Sequence, residues 1–159
     1  MSTQRIVTNL WFDTQAEEAV AYYCSIFADA RVLGVTPYPE GTGKAGTAMA
    51  VEFELLGQRL VAINGGPQFT FSEAISLQVE CEDQAEIDYY WRKLTDGGSE
   101  GPCGWCKDRY GLSWQITPRG VTEFFKGDRD GAARAAQAMF EMKKLDIAAL
   151  QAARDGVPA

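Results

Sequence analysis

The stretch CGWCKDRYGLSWQ, Cys103 to Gln115, decides the fold. It reads as a β-hairpin. Asp108 and Gly111 bracket a four-residue turn, since Asp accepts backbone N–H bonds at the first position and Gly tolerates positive φ at the last. Leu112, Trp114 and Ile116 then alternate with Ser113, Gln115 and Thr117, so the returning strand has one apolar and one polar face. A four-residue turn sets Trp105 opposite Trp114 and Gly104 opposite Gln115. On that register the two tryptophans share one face, and Gln115 shares the other with Cys106 and Ser113.

Working outward, the hairpin closes the second half of a duplication. TQAE at Thr14–Glu17 and DQAE at Asp83–Glu86 are near copies. Each reads as a capping box: Thr14 or Asp83 accepts a backbone N–H bond, and the Glu three residues on returns one. Each follows an expected strand, Val7–Phe12 or Ile75–Cys81, and opens a helix with an apolar stripe. The first stripe is Ala16, Ala19, Val20, Tyr23 and Phe27; the second is Ile87, Tyr90, Trp91 and Leu94. Gly97 and Gly98 stop the second helix. Strands then follow in both halves: Ala30–Tyr38, Thr47–Leu56 and Arg59–Asn64 in the first, Ser99–Gly101, Gly104–Lys107 and Leu112–Thr117 in the second. Leu56–Gln58 is a tight connection, and Pro39–Gly46 is a loop. The order is βαβββ twice, an α+β fold. The modules are expected at residues 1–66 and 67–118, with a C-terminal helical tail at 119–159. Each helix covers one sheet face, so two open faces side by side form a cup suited to a ligand.

The chain has 159 residues, a net charge of −7 and 46% hydrophobic residues, which describes a globular domain with a real core. The acidic balance repels phosphate backbones and argues against a nucleic-acid partner. No apolar run approaches the roughly 20 residues that span a bilayer, so no membrane partner is expected. The start, MSTQRIVTNL, lacks the pattern of a secretory signal, and a cytoplasmic location is the expectation.

No histidine is present, which removes Ser–His and Cys–His nucleophiles. Cys103 and Cys106 form a C-x-x-C. No second pair or His completes a zinc site, and no helix follows as a redox motif requires, so buried thiols are the preferred reading. Glu52 and Glu54 alternate with Val51, Phe53 and Leu55; a solvated strand face is favoured over a carboxylate pair for acid–base work. In the tail, Ala132, Ala136, Met139, Phe140 and Lys143 form a helical stripe. Met139, Phe140, Leu145 and Leu150 are offered as apolar surface for a partner copy.

The hairpin, LWFD (Leu10–Asp13), NGGPQFTFSEAIS (Asn64–Ser76) and MKKLDIAAL (Met142–Leu150) together resemble the vicinal-oxygen-chelate superfamily, which includes the glyoxalase and bleomycin-resistance-like proteins. Within it they resemble the PhnB-like branch, often labelled 3-demethylubiquinone-9 3-methyltransferase-like. The resemblance implies a glyoxalase-like cup and a homodimer. By analogy Gln115 faces the cup and Trp105 and Trp114 pack under the helix. Metal-using members carry a Glu where this chain has Gln115, and the matching first-strand positions, Val7, Thr8 and Asn9 in one half and Ala74, Ile75 and Ser76 in the other, include no His, Asp or Glu. Only Gln115 and Asn64 remain as neutral oxygen donors, which hold a divalent cation poorly. No metal and no cofactor are therefore expected. No strand–Gly-x-Gly–helix pattern offers a cradle for S-adenosylmethionine. The expected function is small-molecule binding, with Asn64, Phe69, Phe71, Cys106, Ser113 and Gln115 lining the site. A metal-dependent lyase, isomerase or dioxygenase, and a partner-binding module, are the alternatives.

Overall fold

A computed structural model describes residues 5–158 of the chain. Two compact units divide it, Met1–Phe71 and Ser72–Ala159. In the first, β1 (Thr8–Phe12), α1 (Ala16–Ile26), β2 (Arg31–Pro37), β3 (Ala48–Leu55) and β4 (Gln58–Asn64) follow in order. The sheet runs β1-β4-β3-β2, with β1 parallel to β4 and the other pairs antiparallel. α1 buries Ala16, Ala19, Val20, Tyr23 and Ile26 against one face. Facing them are Leu10, Val51, Phe53, Leu60 and Ala62, alternate residues of their strands and all buried. Leu56 and Gly57 join β3 to β4 as a two-residue turn with φ of 47° and 78°, the left-handed geometry that matches strand twist.

The second unit repeats the plan with β5 (Leu77–Cys81), α2 (Gln84–Thr95), β6 (Ser99–Glu100), β7 (Trp105–Lys107) and β8 (Ser113–Pro118). Its sheet runs β5-β8-β7-β6, again parallel only between the first and last strands. The expected stripe Ile87, Tyr90, Trp91 and Leu94 is buried. The fold is thus the α+β, twice-βαβββ glyoxalase-like fold with a helical C-terminal extension: a short 3-10 helix (Val121–Phe125), α3 (Arg129–Glu141) and α4 (Ile147–Asp155).

Three expectations need correction. The first capping box does not form. α1 starts one residue later than expected, with Gln15 at its N-cap and no side-chain cap there. Asn64 Oδ1, at the end of β4, takes the Ala16 N–H at 2.8 Å instead. In the second module the cap forms: Asp83 Oδ1 accepts from Glu86 N, and Glu86 accepts in turn from Glu82 N, one residue before the N-cap.

The hairpin register is shifted by one residue. Trp105 lies opposite Gln115 and Cys106 opposite Trp114, not Trp105 opposite Trp114. The cause is Asp108, a buried carboxylate. Its Oδ1 accepts from Tyr110 N and Leu112 N, and its Oδ2 from Trp114 Nε1 at 2.8 Å. Those bonds draw Leu112 into the turn, so the connection has five residues and β8 begins at Ser113.

The tail packs within its own unit. Leu145 and Leu150, expected to be free for a partner, are fully buried. Cys103 N and Gly104 N donate to Met142 O and Lys143 O at 2.8 and 2.7 Å. The Gln84 side chain of α2 bridges Leu145 O and Ile147 N. In α3 the buried residues are Gly131 and Ala135, while Phe140 stays 68% exposed.

Candidate functional site on the open face of the second sheet

The shifted register sorts the second sheet into two faces. Residues directly opposite one another share a face. Glu100, Cys106 and Trp114 form one row across β6, β7 and β8. Glu100 Oε1 accepts from Trp91 Nε1 of α2 at 3.0 Å, so this is the helix-covered face. Ser99, Lys107 and Ser113 form the next row on the other side, with Trp105 and Gln115 one pleat along. A cavity of about 520 Å³ opens there, walled by Ser99, Pro102, Trp105, Lys107, Ser113 and Glu73.

Ser113 is the unusual member of this wall. It is 1% exposed, and its Oγ has no hydrogen-bond partner. A buried hydroxyl without a partner costs about 1–3 kcal/mol relative to a satisfied one. Beside it, Lys107 Nζ reaches the Glu73 carboxylate at 2.6 Å. That lysine, by hydrogen bond and by charge, holds the Glu73 carboxyl below its ordinary range. Gln115 is half-buried and donates from Nε2 to Ser76 Oγ at 2.9 Å. Gln78 makes the corresponding bond to Thr117 Oγ1 at 2.9 Å. The face is therefore a polar ladder with one apolar plate, Trp105.

The expected site residues separate on this map. Ser113 and Gln115 share the open face. Cys106, expected beside them, pairs with Trp114 on the helix side, though it also touches the cavity wall. Burial pushes its thiol up to about 12, with the Asp108 and Glu100 charges adding to the effect, so it is a poor nucleophile. Asn64 belongs to the first unit and also faces the helix. Its Oδ1 caps α1 and its Nδ2 donates to Ala48 O at 3.0 Å. Phe69 and Phe71 also lie in the first unit and pack back on β1. Phe69, 65% exposed, sits edge-on to Trp11 at 5.0 Å, and Phe71 edge-on to Phe12 at 5.3 Å. Gly65 lets this segment pass: a Cβ there would stand 2.2 Å from the Trp11 ring, whose Nε1 donates to Gly66 O. Trp105, expected under the helix, stands on the open face.

Lys107 and Glu73 were not flagged by sequence reasoning. Their one sequence signal is a single lysine at the end of an otherwise uncharged strand, directly after Gly104, Trp105 and Cys106. Glu52 and Glu54 are each matched by an arginine: Arg59 lies 4.0 Å from Glu52 and Arg31 lies 3.0 Å from Glu54. Among the described residues no three His, Cys, Asp or Glu side chains gather as metal ligands. The four cysteines are free thiols. No described helix is long and apolar enough to cross a membrane.

Residues 4–117 match the family model described as 3-demethylubiquinone-9 3-methyltransferase. Among solved structures, the PhnB protein of Bacillus cereus is 36% identical over 72% of this chain and 99% of its own, with a TM-score of 0.65. Protein PA1353 of Pseudomonas aeruginosa is 20% identical, covering 73% and 98%, with a TM-score of 0.62. The fosfomycin resistance protein FosX of Listeria monocytogenes, crystallised as a mutant with Mn(II) and 1S,2S-dihydroxypropylphosphonic acid, is 16% identical, covering 79% and 100%, with a TM-score of 0.56. No curated protein matches the chain.

Proposed function

The chain belongs to the 3-demethylubiquinone-9 3-methyltransferase (PhnB-like) family of the vicinal-oxygen-chelate superfamily, and on that premise we propose that it binds a small organic molecule on the open face of its second sheet without a catalytic metal. The observation that carries this is the buried, unpartnered Ser113 hydroxyl in the wall of a 520 Å³ cavity. Folded proteins rarely leave such a group unpaired, and a ligand is one way to pair it. The cavity is of the size that holds a small metabolite.

The donor set supports the metal-free reading. FosX, with its Mn(II), shares the fold. Here the β8 position facing the open side is Gln115, and the position of matching register on β4 is Val61. One neutral amide and no carboxylate make a weak divalent-cation site. Methyl transfer is not the favoured reading either. β1 and β5 enter their helices through Asp13–Gln15 and Glu82–Asp83, without the glycine turn that brings a cofactor to a helix N-terminus. Elemental analysis tests this: the reading expects well under one transition metal per chain, and one tightly bound metal per chain overturns it. A thermal-shift screen of aromatic and aliphatic metabolites tests the site, because a ligand of the native state raises the apparent Tm. Hits that lose their effect in Ser113→Ala are expected.

The same reading takes the protein as a homodimer. Its support is the edge strand β2, which carries Val32 and Val35 about half-exposed, since exposed apolar edges invite pairing with a second copy. Light scattering at micromolar concentration is expected to return twice the 17.5 kDa chain mass; a monomer refutes the pairing.

A further inference from the structure

We infer that the cavity on the second sheet takes a monocarboxylate with an aromatic body, and that Glu73 is an internal stand-in for that carboxylate. The inference rests on the reading above, that this face is the ligand site. Of the residues that wall the cavity, Lys107 is the one cation. It lies directly opposite Ser113 in the β7–β8 ladder, so their Cβ atoms are cross-strand neighbours about 5 Å apart. A flexible ammonium and a buried hydroxyl side by side offer donors to the two oxygens of one carboxylate. The next pleat along presents the half-buried Trp105 ring, and Pro102 adds an apolar wall. An aromatic ring attached to the acid would rest on that surface.

Glu73 now holds the lysine. It comes from the segment between the last residue of the first unit and β5, and its side chain is 64% exposed. Exposed ion pairs contribute little net stability, so an incoming acid displaces this one at small cost. Glu100, the other acid at the cavity, is engaged elsewhere: it accepts from Trp91 and pairs with Lys143 at 3.5 Å. Neutral and cationic ligands would leave Lys107 with Glu73 and gain nothing from it. In a chain of net charge −7, a local cation that admits an acid is a selective element rather than a general attraction.

Calorimetric titration of the full chain with 4-hydroxyphenylacetate and its neutral amide, 4-hydroxyphenylacetamide, tests this. The acid should bind about tenfold tighter than the amide, the scale of one charge-assisted hydrogen bond. Glu73→Gln removes the competitor and should tighten the acid by about two- to fivefold while leaving the amide unchanged. Lys107→Met should erase the preference. Both side chains are at the surface, so the variants should keep the wild-type Tm. Equal binding of acid and amide, binding of neither, or a Glu73→Gln variant that binds the acid more weakly overturns the inference. If acid and amide bind equally and Ser113→Ala weakens both, the carboxylate class fails while the site itself stands.

Discussion

The two modules share a plan down to single hydrogen bonds, yet they use their polar residues in opposite ways. Phe12 pairs with Asn64 where Cys81 pairs with Pro118. Just beyond each pair, Gly65 N donates to Phe12 O at 2.9 Å, and Arg119 N donates to Cys81 O at 2.8 Å. From that common point the modules diverge. In the first, the polar residue at the strand end caps the helix, the glutamates are matched by arginines, and Trp11 is covered by Phe69. In the second, Asp83 caps the helix locally, and the far face of the sheet presents Lys107, Ser113 and Gln115. Duplication supplied two open faces; one has become structural and the other keeps an unpaired hydroxyl.

The sharpest way to break this comparison is at the two helix caps. Asn64→Ala would strand two buried backbone groups, Ala16 N–H and Ala48 C=O, and should destabilise the protein by about 3 kcal/mol. Asp83→Ala removes a local, exposed cap and should cost about 1 kcal/mol. Chemical denaturation of both variants measures the gap. Equal losses would mean that the modules are capped alike and that the divergence lies elsewhere.

A smaller effect distinguishes the thiols of the second module. Burial foremost pushes Cys81 and Cys106 from an ordinary 9.0 up to about 12, with nearby carboxylates adding to it. The folded value is raised, so the stability these thiols contribute is fully present below pH 9. It is lost as pH rises from about 9 toward 12, because the unfolded chain ionises first. Stability should therefore decline over that window. A Cys81→Ala, Cys106→Ala double variant should show a flatter alkaline limb than the parent, and an identical slope would count against the burial of these groups.

Much of this was legible in the sequence, because the features concerned are periodic. The duplicated βαβββ order and both apolar stripes follow from alternation and helical spacing, and the placing of Gln115 on the open face follows from the family resemblance. What stayed hidden depends on single side chains reaching across the chain. Thr14 has the right chemistry for a cap, but Asn64, far along the chain, takes its place. Asp108 looks like a turn residue of ordinary reach, yet it gathers Tyr110, Leu112 and Trp114 and shifts the register. That one-residue shift moved Trp105 and Cys106 each to the face opposite the one expected. Leu145 and Leu150 read as free apolar surface because nothing in the α3–α4 connection or in α4 itself announces Gln84 and Gly104 as docking points. Gly104 has φ of 81°, and a Cβ there would meet Ile116 O at 2.8 Å and Leu145 at 3.1 Å, so its glycine is required by the docked tail.

Ser113→Ala tests most directly whether the second module carries the ligand site. The hydroxyl has no partner to lose, so the account predicts unfolding free energy unchanged within about 0.5 kcal/mol, or raised. It also predicts that compounds raising the wild-type Tm no longer raise that of the variant. A variant destabilised by about 2 kcal/mol that keeps its full ligand response would mark Ser113 as a core residue and contradict the account.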